Sequence, residues 1–313
     1  MKNTERYYKF WKYLKETFGE NVFKISVDAG FTCPNLDGTL SKKGCIYCDN
    51  YSFSSSLRKK GISLEEQIKN GIKYGEKRFK AKKFIVYFQP FTNTYAPVNV
   101  LKEKYDVIKK FENIVGLSIG TRPDFIDEEK LKLIESYTEK YDVWIEYGLQ
   151  TIHNKTLKII NRNHTYEDFL KGIEMTKKRN IKICVHVIIG LPGETKEDII
   201  ETAKKCGQLQ IDGIKIHPLY IVKGTELEKW YKEGKYKPME RDWYIEVLIE
   251  FLRYLSPETV IQRITADCPN ELLFAPYWLK NKQEFLKMIN EEMERRDIFQ
   301  ADMYNWQVKK KMI

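Results

Sequence analysis

The chain has 313 residues, with 54 Lys and Arg against 44 Asp and Glu for a formal charge of +10. A length of this order leaves room for one large domain with appendages, and 31% charged with 42% hydrophobic residues is ordinary for a soluble globular protein. No apolar run reaches the ~18 residues of a membrane span, and the opening stretch has no apolar signal core, so the expectation is a cytoplasmic protein without membrane association.

In chain order, Tyr7, Phe10, Trp11, Leu14 and Phe18 recur at helical spacing, so a helix is expected within residues 1–20, covering the bottom or side of the core. Runs dense in Val and Ile then mark six strands, at 22–27, 84–88, 115–119, 143–148, 183–189 and 213–217. Such runs suit parallel strands buried on both faces. Their starts lie 62, 31, 28, 40 and 30 residues apart, the length of repeated strand-helix units with the first gap doubled. Leu64, Ile68, Ile72 and Phe79 form a helical stripe behind the N-cap Ser63, and Asp127 caps a helix carrying Leu131 and Ile134. Thr165 with Asp168, and Thr195 with Asp198, read as capping boxes ahead of Phe169 and Ile199. Six units make three-quarters of a strand-helix barrel, where functional residues gather at the C-terminal strand ends. After about residue 256 an irregular, Pro-punctuated stretch leads to a charged helix from about 282 to 296. The expected organisation is α/β: an N-terminal helix in 1–20, a core over 21–255 and a C-terminal helical extension over 256–313.

The doubled first gap holds the most informative segment. Cys33, Cys45 and Cys48 fall within sixteen residues, eleven separating the first pair and two the second. Three thiolates can hold a four-iron, four-sulfur (4Fe-4S) cluster and leave one iron open to a substrate or cofactor. The spacing also suits a zinc knuckle with its fourth ligand elsewhere, or a redox Cys-x-x-Cys. A disulfide fits less well, because six cysteines without an even framework point to a reducing compartment. Cys184 and Cys206 read as buried small apolar side chains, and Cys268 as a residue that could touch substrate. The positive charge with 20 Tyr, 16 Phe and 6 Trp is compatible with looped or single-stranded RNA, although lysines on solvated helix faces explain the same counts.

Other segments fall in order around the cysteines: Phe31-Thr32-Cys33-Pro34-Asn35, Gly44-Cys45-Ile46-Tyr47-Cys48, and Tyr87-Phe88-Gln89 leading to Thr92-Asn93-Thr94-Tyr95. Gly120-Thr121-Arg122-Pro123-Asp124, Glu146-Tyr147-Gly148-Leu149-Gln150, Asn161-Arg162-Asn163-His164, Gly190-Leu191-Pro192-Gly193-Glu194 and Ala275-Pro276-Tyr277-Trp278 come after them. With these the chain resembles the radical S-adenosylmethionine (SAM) superfamily, and most closely the YhcC/YtqA-like family related to the radical SAM core of the Elongator catalytic subunit. The resemblance runs from about Asn21 to Tyr254 and more weakly beyond. The superfamily's commonest first gap has three residues; the eleven here are the spacing of the YhcC/YtqA-like family.

The resemblance implies a partial (β/α)6 radical SAM barrel in which Cys33, Cys45 and Cys48 bind three irons of a 4Fe-4S cluster and SAM chelates the fourth. An electron from a donor such as flavodoxin or ferredoxin would then cleave SAM to methionine and a 5′-deoxyadenosyl radical that abstracts hydrogen from substrate. Tyr47 would sit beside the adenine, and Gln89, Thr92 and Asn93 near the methionyl amino group. Glu146 and Gln150 would reach the ribose or amino group, Arg162 would pair with the carboxylate, and Gly190 would bring backbone close to adenine. Loop hydrogen bonds, surface ion pairs and a tight turn are the plainer readings of the same residues. Arg122, His186, Lys215 and His217 could face substrate, although a lone His on an apolar strand is more often a satisfied core residue. The implied substrate is a tRNA wobble uridine whose C5 carboxymethylaminomethyl group becomes aminomethyl, with Lys42, Lys43, Arg58, Lys59 and Lys60 as a basic rim. The chain ends at Ile313 without room for an acetyltransferase domain, so acyl transfer is not expected. A radical SAM enzyme with a small-molecule or peptide substrate, and a non-catalytic zinc or iron-sulfur RNA-binding protein, are the alternatives.

Overall fold

The computed structural model describes residues 5–54 and 61–305, so Arg58, Lys59 and Lys60 of the expected rim lie outside the described residues. The chain opens with α1 (Phe10–Phe18), β1 (Val22–Val27) and, beyond the cysteine loop, α2 (Asn50–Phe53) and α3 (Leu64–Phe79). Next come β2 (Lys83–Phe88), α4 (Val98–Tyr105), β3 (Ile114–Thr121), α5 (Glu128–Glu135) and β4 (Asp142–Gln150). These lead to α6 (Asn154–Ile159), α7 (Tyr166–Lys177), β5 (Lys182–Ile189), α8 (Lys196–Gln208) and β6 (Gly213–Pro218). The last described elements are β7 (Ile221–Val222), α9 (Glu226–Lys232), α10 (Arg241–Arg253), β8 (Val260–Arg263), β9 (Leu273–Ala275) and α11 (Lys282–Arg295). No helix among the described residues is long and apolar enough to cross a membrane.

Seven strands pair in parallel in the order β1-β2-β3-β4-β5-β6-β8, while β7 and β9 form a separate antiparallel pair. The sheet thus gains one strand beyond the six the sequence suggests. Four of the helices between strands start where their caps are written: Ser63 accepts from Glu66 N–H, Asp127 from Lys130 N–H, and Thr165–Asp168 and Thr195–Asp198 form reciprocal capping boxes. Each cap satisfies N–H groups that the helix cannot, worth about 1 kcal/mol apiece. Alternate strand residues point to opposite faces. The outward set, including Val86, Phe88, Leu117, Ile119, Ile145, Val185 and Ile214, is buried in the main core.

The sheet is curled into a half-barrel. Lys24 Nζ on one edge strand, β1, lies 3.2 Å from Gln262 Oε1 on the opposite edge strand, β8. Helix α1 touches both edge strands and plugs the N-terminal end of the barrel. There Tyr13 and Leu14 pack with the inward Ile85, Trp144, Cys184 and Val260, and the Tyr13 ring meets Trp144 edge-on at 5.5 Å. Trp11 belongs to the helical pattern in sequence but is 59% exposed, because the buried arc of α1 is centred on Tyr13 and Leu14.

Candidate active site

A cavity of about 960 Å³ runs from the C-terminal strand ends down into the barrel, and Cys33, Cys45 and Cys48 line it. Main-chain bonds shape the cysteine loop: Leu36 N–H donates to Cys33 O at 2.8 Å, Cys48 N–H to Cys45 O at 3.0 Å, and Ile46 N–H to Ile160 O at 3.1 Å. Gly44 adopts φ 69°, and a Cβ there would lie 2.6 Å from Leu36 Cδ2, so only glycine lets the loop close before Cys45. Asparagines strap the loop to the segment after α6. Asn35 Nδ2 donates to Asn161 O (2.7 Å), Asn163 Nδ2 to Asn35 Oδ1 (2.6 Å) and Asn161 Nδ2 to Gly44 O (2.6 Å). Asn161 and Asn163 both have φ 55°, a left-handed conformation that Asn tolerates better than most residues.

The sulfurs face N–H donors. Asn35 Nδ2 is 3.5 Å and Arg162 Nη1 3.8 Å from Cys45 Sγ, and Asn50 Nδ2 is 3.8 Å from Cys48 Sγ. Burial, then the charges of Cys45 and Cys33, push the Cys48 thiol up, so three thiolates here need a cation among them. Among the described residues, only Glu146, Cys184 and His186 bring three ligand atoms within 4.8 Å of one another, as a single ion would require. The loop sulfurs are spread more widely around their cavity, which fits a multi-iron cluster better than one zinc ion.

Six of the residues expected around SAM line the cavity: Tyr47, Gln89, Thr92, Glu146, Gln150 and Arg162. Thr92 Oγ1 and Arg162 Nε are buried without a hydrogen-bond partner among the described residues, and both have capacity for a ligand. Arg162 Nη2 donates to Gly148 O at 3.0 Å, and a Cβ at Gly148 would lie 2.6 Å from that nitrogen. Gln89 Nε2 donates to Phe53 O at 3.0 Å. Asn93 and Gly190 lie off the cavity wall. The Asn93 amide donates to Phe88 O, Pro90 O and Gly120 O at 3.1, 3.0 and 2.8 Å, tying the end of β2 to β3. Gly190 has φ 92° with the Met239 methyl pressed where a Cβ would be, so the tight turn accounts for this glycine. Arg122 reaches the cavity wall, but its guanidinium is engaged by Asp124 at 2.9 and 2.7 Å, Arg162 O at 2.8 Å and Asn163 O at 3.0 Å. It therefore braces the strap. Cys268 lines the cavity, Cys184 and Cys206 are buried, and Lys42 and Lys43 are exposed on the cysteine loop.

Below the sulfurs lies a layer of inward polar groups. Glu146 is fully buried and accepts from Lys24, Lys215 and Ser118, and its Oε2 is 2.7 Å from His186 Nε2. Burial alone would raise this carboxyl, yet the two ammoniums and His186 hold it well below the usual range. Burial lowers Lys215 to about 8 against the opposing pull of Glu146. Burial, then the Lys215 charge, lowers His186 to about 4, while burial and His186 depress His217 further. The Tyr87 ring lies beneath both ammoniums, 4.5 Å from Lys24 Nζ and 4.2 Å from Lys215 Nζ. Lys24, Asn50 and Gln262 were not singled out in the sequence, and Asn35 was quoted only within a segment, with no role of its own. Polar residues alternating with apolar ones along Phe23-Lys24-Ile25-Ser26-Val27 were the available signal for the first of them.

The Radical SAM superfamily model matches residues 42–206, and the Radical_SAM C-terminal domain model matches residues 211–295. YtqA of Bacillus subtilis (strain 168) is 39% identical over 306 residues, covering 96% of this chain and 94% of that protein. The tRNA uridine(34) acetyltransferase of Methanocaldococcus jannaschii is 33% identical over 159 residues, 50% of this chain but 29% of that enzyme. Among solved structures, Methanocaldococcus infernus Elp3 with an N-terminal deletion shares the fold, with a TM-score of 0.67 at 23% identity over 89% of this chain and 64% of that one. The chain belongs to the radical SAM superfamily of enzymes and, within it, to the family that includes YtqA.

Proposed function

We propose that Cys33, Cys45 and Cys48 hold a 4Fe-4S cluster with SAM on the remaining iron, and that the substrate is a tRNA wobble uridine whose C5 carboxymethylaminomethyl group becomes aminomethyl, the two-carbon unit leaving as glyoxylate with water supplying its carbonyl oxygen and SAM as the net oxidant. The observation that carries the cofactor reading is the wide triad of sulfurs on one cavity, with the donors of Asn35, Asn50 and Arg162 aimed at them. Held by these three cysteines, a cluster would supply the one-electron reduction that cleaves SAM to methionine and a 5′-deoxyadenosyl radical. The chain's own residues orient these groups. Arg162 offers a planar donor with an unpartnered Nε to the methionyl carboxylate, and the Thr92 hydroxyl faces the same space. Tyr47, between Ile46 and Cys48, flanks the adenine side. Tyr13 and Leu14 of α1 pack against Ile85, Trp144 and Val260 beneath the site, so substrate enters from the open end, and a flavodoxin or ferredoxin supplies the electron.

The substrate reading is supported by the similarity to tRNA uridine(34) acetyltransferase over half of the chain. The +10 charge and the exposed Lys42 and Lys43 suit a polyanion at the mouth. An anticodon loop already presents unstacked bases, so entry of one base into the cavity costs little. Mass spectrometry of tRNA nucleosides from cells with and without the gene tests this. Loss of the aminomethyl-derived nucleoside with accumulation of the carboxymethylaminomethyl form is expected; an unchanged nucleoside profile would overturn the substrate.

A further inference from the structure

The layer under the sulfurs carries more positive charge than it cancels. Lys24 from β1 and Lys215 from β6 share one carboxylate, Glu146 from β4, and His186 and His217 from β5 and β6 are held neutral by burial. Arg263, whose charge also reaches the layer, is paired with Asp267 at 3.3 Å, so two ammoniums and one carboxylate leave a single surplus positive charge on side chains that are 14% and 8% exposed. Uncompensated buried charge is strongly unfavourable, so such a layer calls for an anion. The hydrogen-bonding capacity agrees. Among the described residues Lys215 Nζ donates only to Glu146, and Lys24 Nζ only to Glu146 and Gln262 Oε1. Gln262 Nε2 is buried without a partner. All three residues line the cavity that holds the cysteines.

We propose that Lys24, Lys215 and Gln262 form an anion subsite at the bottom of the cavity that holds a carboxylate of the substrate. One surplus charge matches a monoanion, and a planar carboxylate can accept from both ammoniums and the amide at once. A phosphate dianion would overcompensate the layer and leave net negative charge in buried surroundings. A metal ion on Glu146, Cys184 and His186 would set a cation against the two ammoniums already on that carboxylate. The subsite rests on the proposed function and deepens it. In the proposed substrate the carboxymethyl group bears the carboxylate, so the modified side chain points to the barrel bottom and the base stays nearer the sulfurs.

Two measurements on the reconstituted full chain test this. The first compares kcat/KM for tRNA bearing the carboxymethylaminomethyl group with the same tRNA after its carboxylate is converted to an amide. Wild type should favour the carboxylate by about tenfold or more, the scale of one charged hydrogen bond. Lys215→Met should collapse the ratio toward one, and Lys215→Arg should keep most of it; a ratio unchanged by Lys215→Met overturns the subsite. Being a ratio, it is insensitive to general damage to the fold. The second needs no tRNA: protection of Lys215 from acetylation, read by mass spectrometry, with N-methylglycine, methylamine or inorganic phosphate as the probe. N-methylglycine alone should protect. Stronger protection by phosphate reassigns the subsite to a phosphate and overturns the carboxylate, and no protection by any probe overturns the subsite. If no tRNA is turned over while N-methylglycine protects Lys215, the wobble-uridine reading fails and the subsite stands. If tRNA is turned over with neither discrimination nor protection, the subsite fails and that reading stands.

Discussion

The two ends of this barrel treat cysteine in opposite ways. At the closed end Cys184 is wholly buried beside Ile85, Trp144 and Val260, and burial pushes its thiol up, leaving an inert apolar side chain. At the open end Cys45 is also buried, yet an amide and a guanidinium are directed at its sulfur. Burial alone therefore does not separate the structural thiol from the proposed ligand; the neighbours do. Between the two ends the inward face passes from the apolar Trp144 to the ionised Glu146, only two residues further along β4.

That contrast can be broken by substitution at either end. Cys45→Ala should reduce reconstituted iron and reductive SAM cleavage to background, whereas Cys184→Ala should keep full iron and lose about 1 kcal/mol in urea unfolding. Full iron in Cys45→Ala would erase the distinction. Next in size, Glu146→Ala should destabilise by roughly 3–5 kcal/mol, because two ammoniums lose their counter-ion. The triple variant Lys24→Met, Glu146→Leu, Lys215→Met should be less destabilised than that single change; the reverse order would show that the polar layer itself holds the barrel together.

Acid sharpens the comparison further. Burial holds His186 and His164 down, to about 4 and about 2, against 6.5 when unfolded, and depresses His217 likewise. The unfolded chain then binds more protons below 6.5, so stability should fall as the pH drops from there toward 4. The slope should be about 1.4 kcal/mol per pH unit for each neutral histidine, and His186→Gln should make it shallower. The Glu146 contribution disappears only at lower pH, as its depressed carboxyl becomes protonated. The smallest effect is at the rim: Lys42→Glu with Lys43→Glu should weaken tRNA binding several-fold at low salt, with the difference shrinking as salt rises.

Local signals in the sequence were the most legible. Capping boxes span three residues, so Thr165–Asp168 and Thr195–Asp198 could be read without knowing the fold, and the six strands appear within a few residues of their expected limits. The seventh strand, Val260–Arg263, has four residues, too few to display a period. Helix α10 was missed although its pattern was present: Tyr244, Ile245, Val247, Leu248, Ile249, Phe251 and Leu252 make a broad buried face, and Asp242, Glu246, Glu250 and Arg253 form the charged stripe opposite. In the site, the cysteine spacing was plain, but Asn35 and Asn50 look like ordinary turn formers until the sulfurs are in place. Lys24 acquires meaning only from the curl that brings β1 to β8.

The asparagine strap sets an order of events during synthesis. Asn35 needs Asn161 and Asn163 to fix the loop that carries Cys45, and those partners emerge from the ribosome more than a hundred residues after the loop itself. Until then the loop has its internal main-chain bonds but not the straps that dock it. Insertion of the proposed cluster into a strapped loop would therefore follow translation past α6, when the first four strands have already been made.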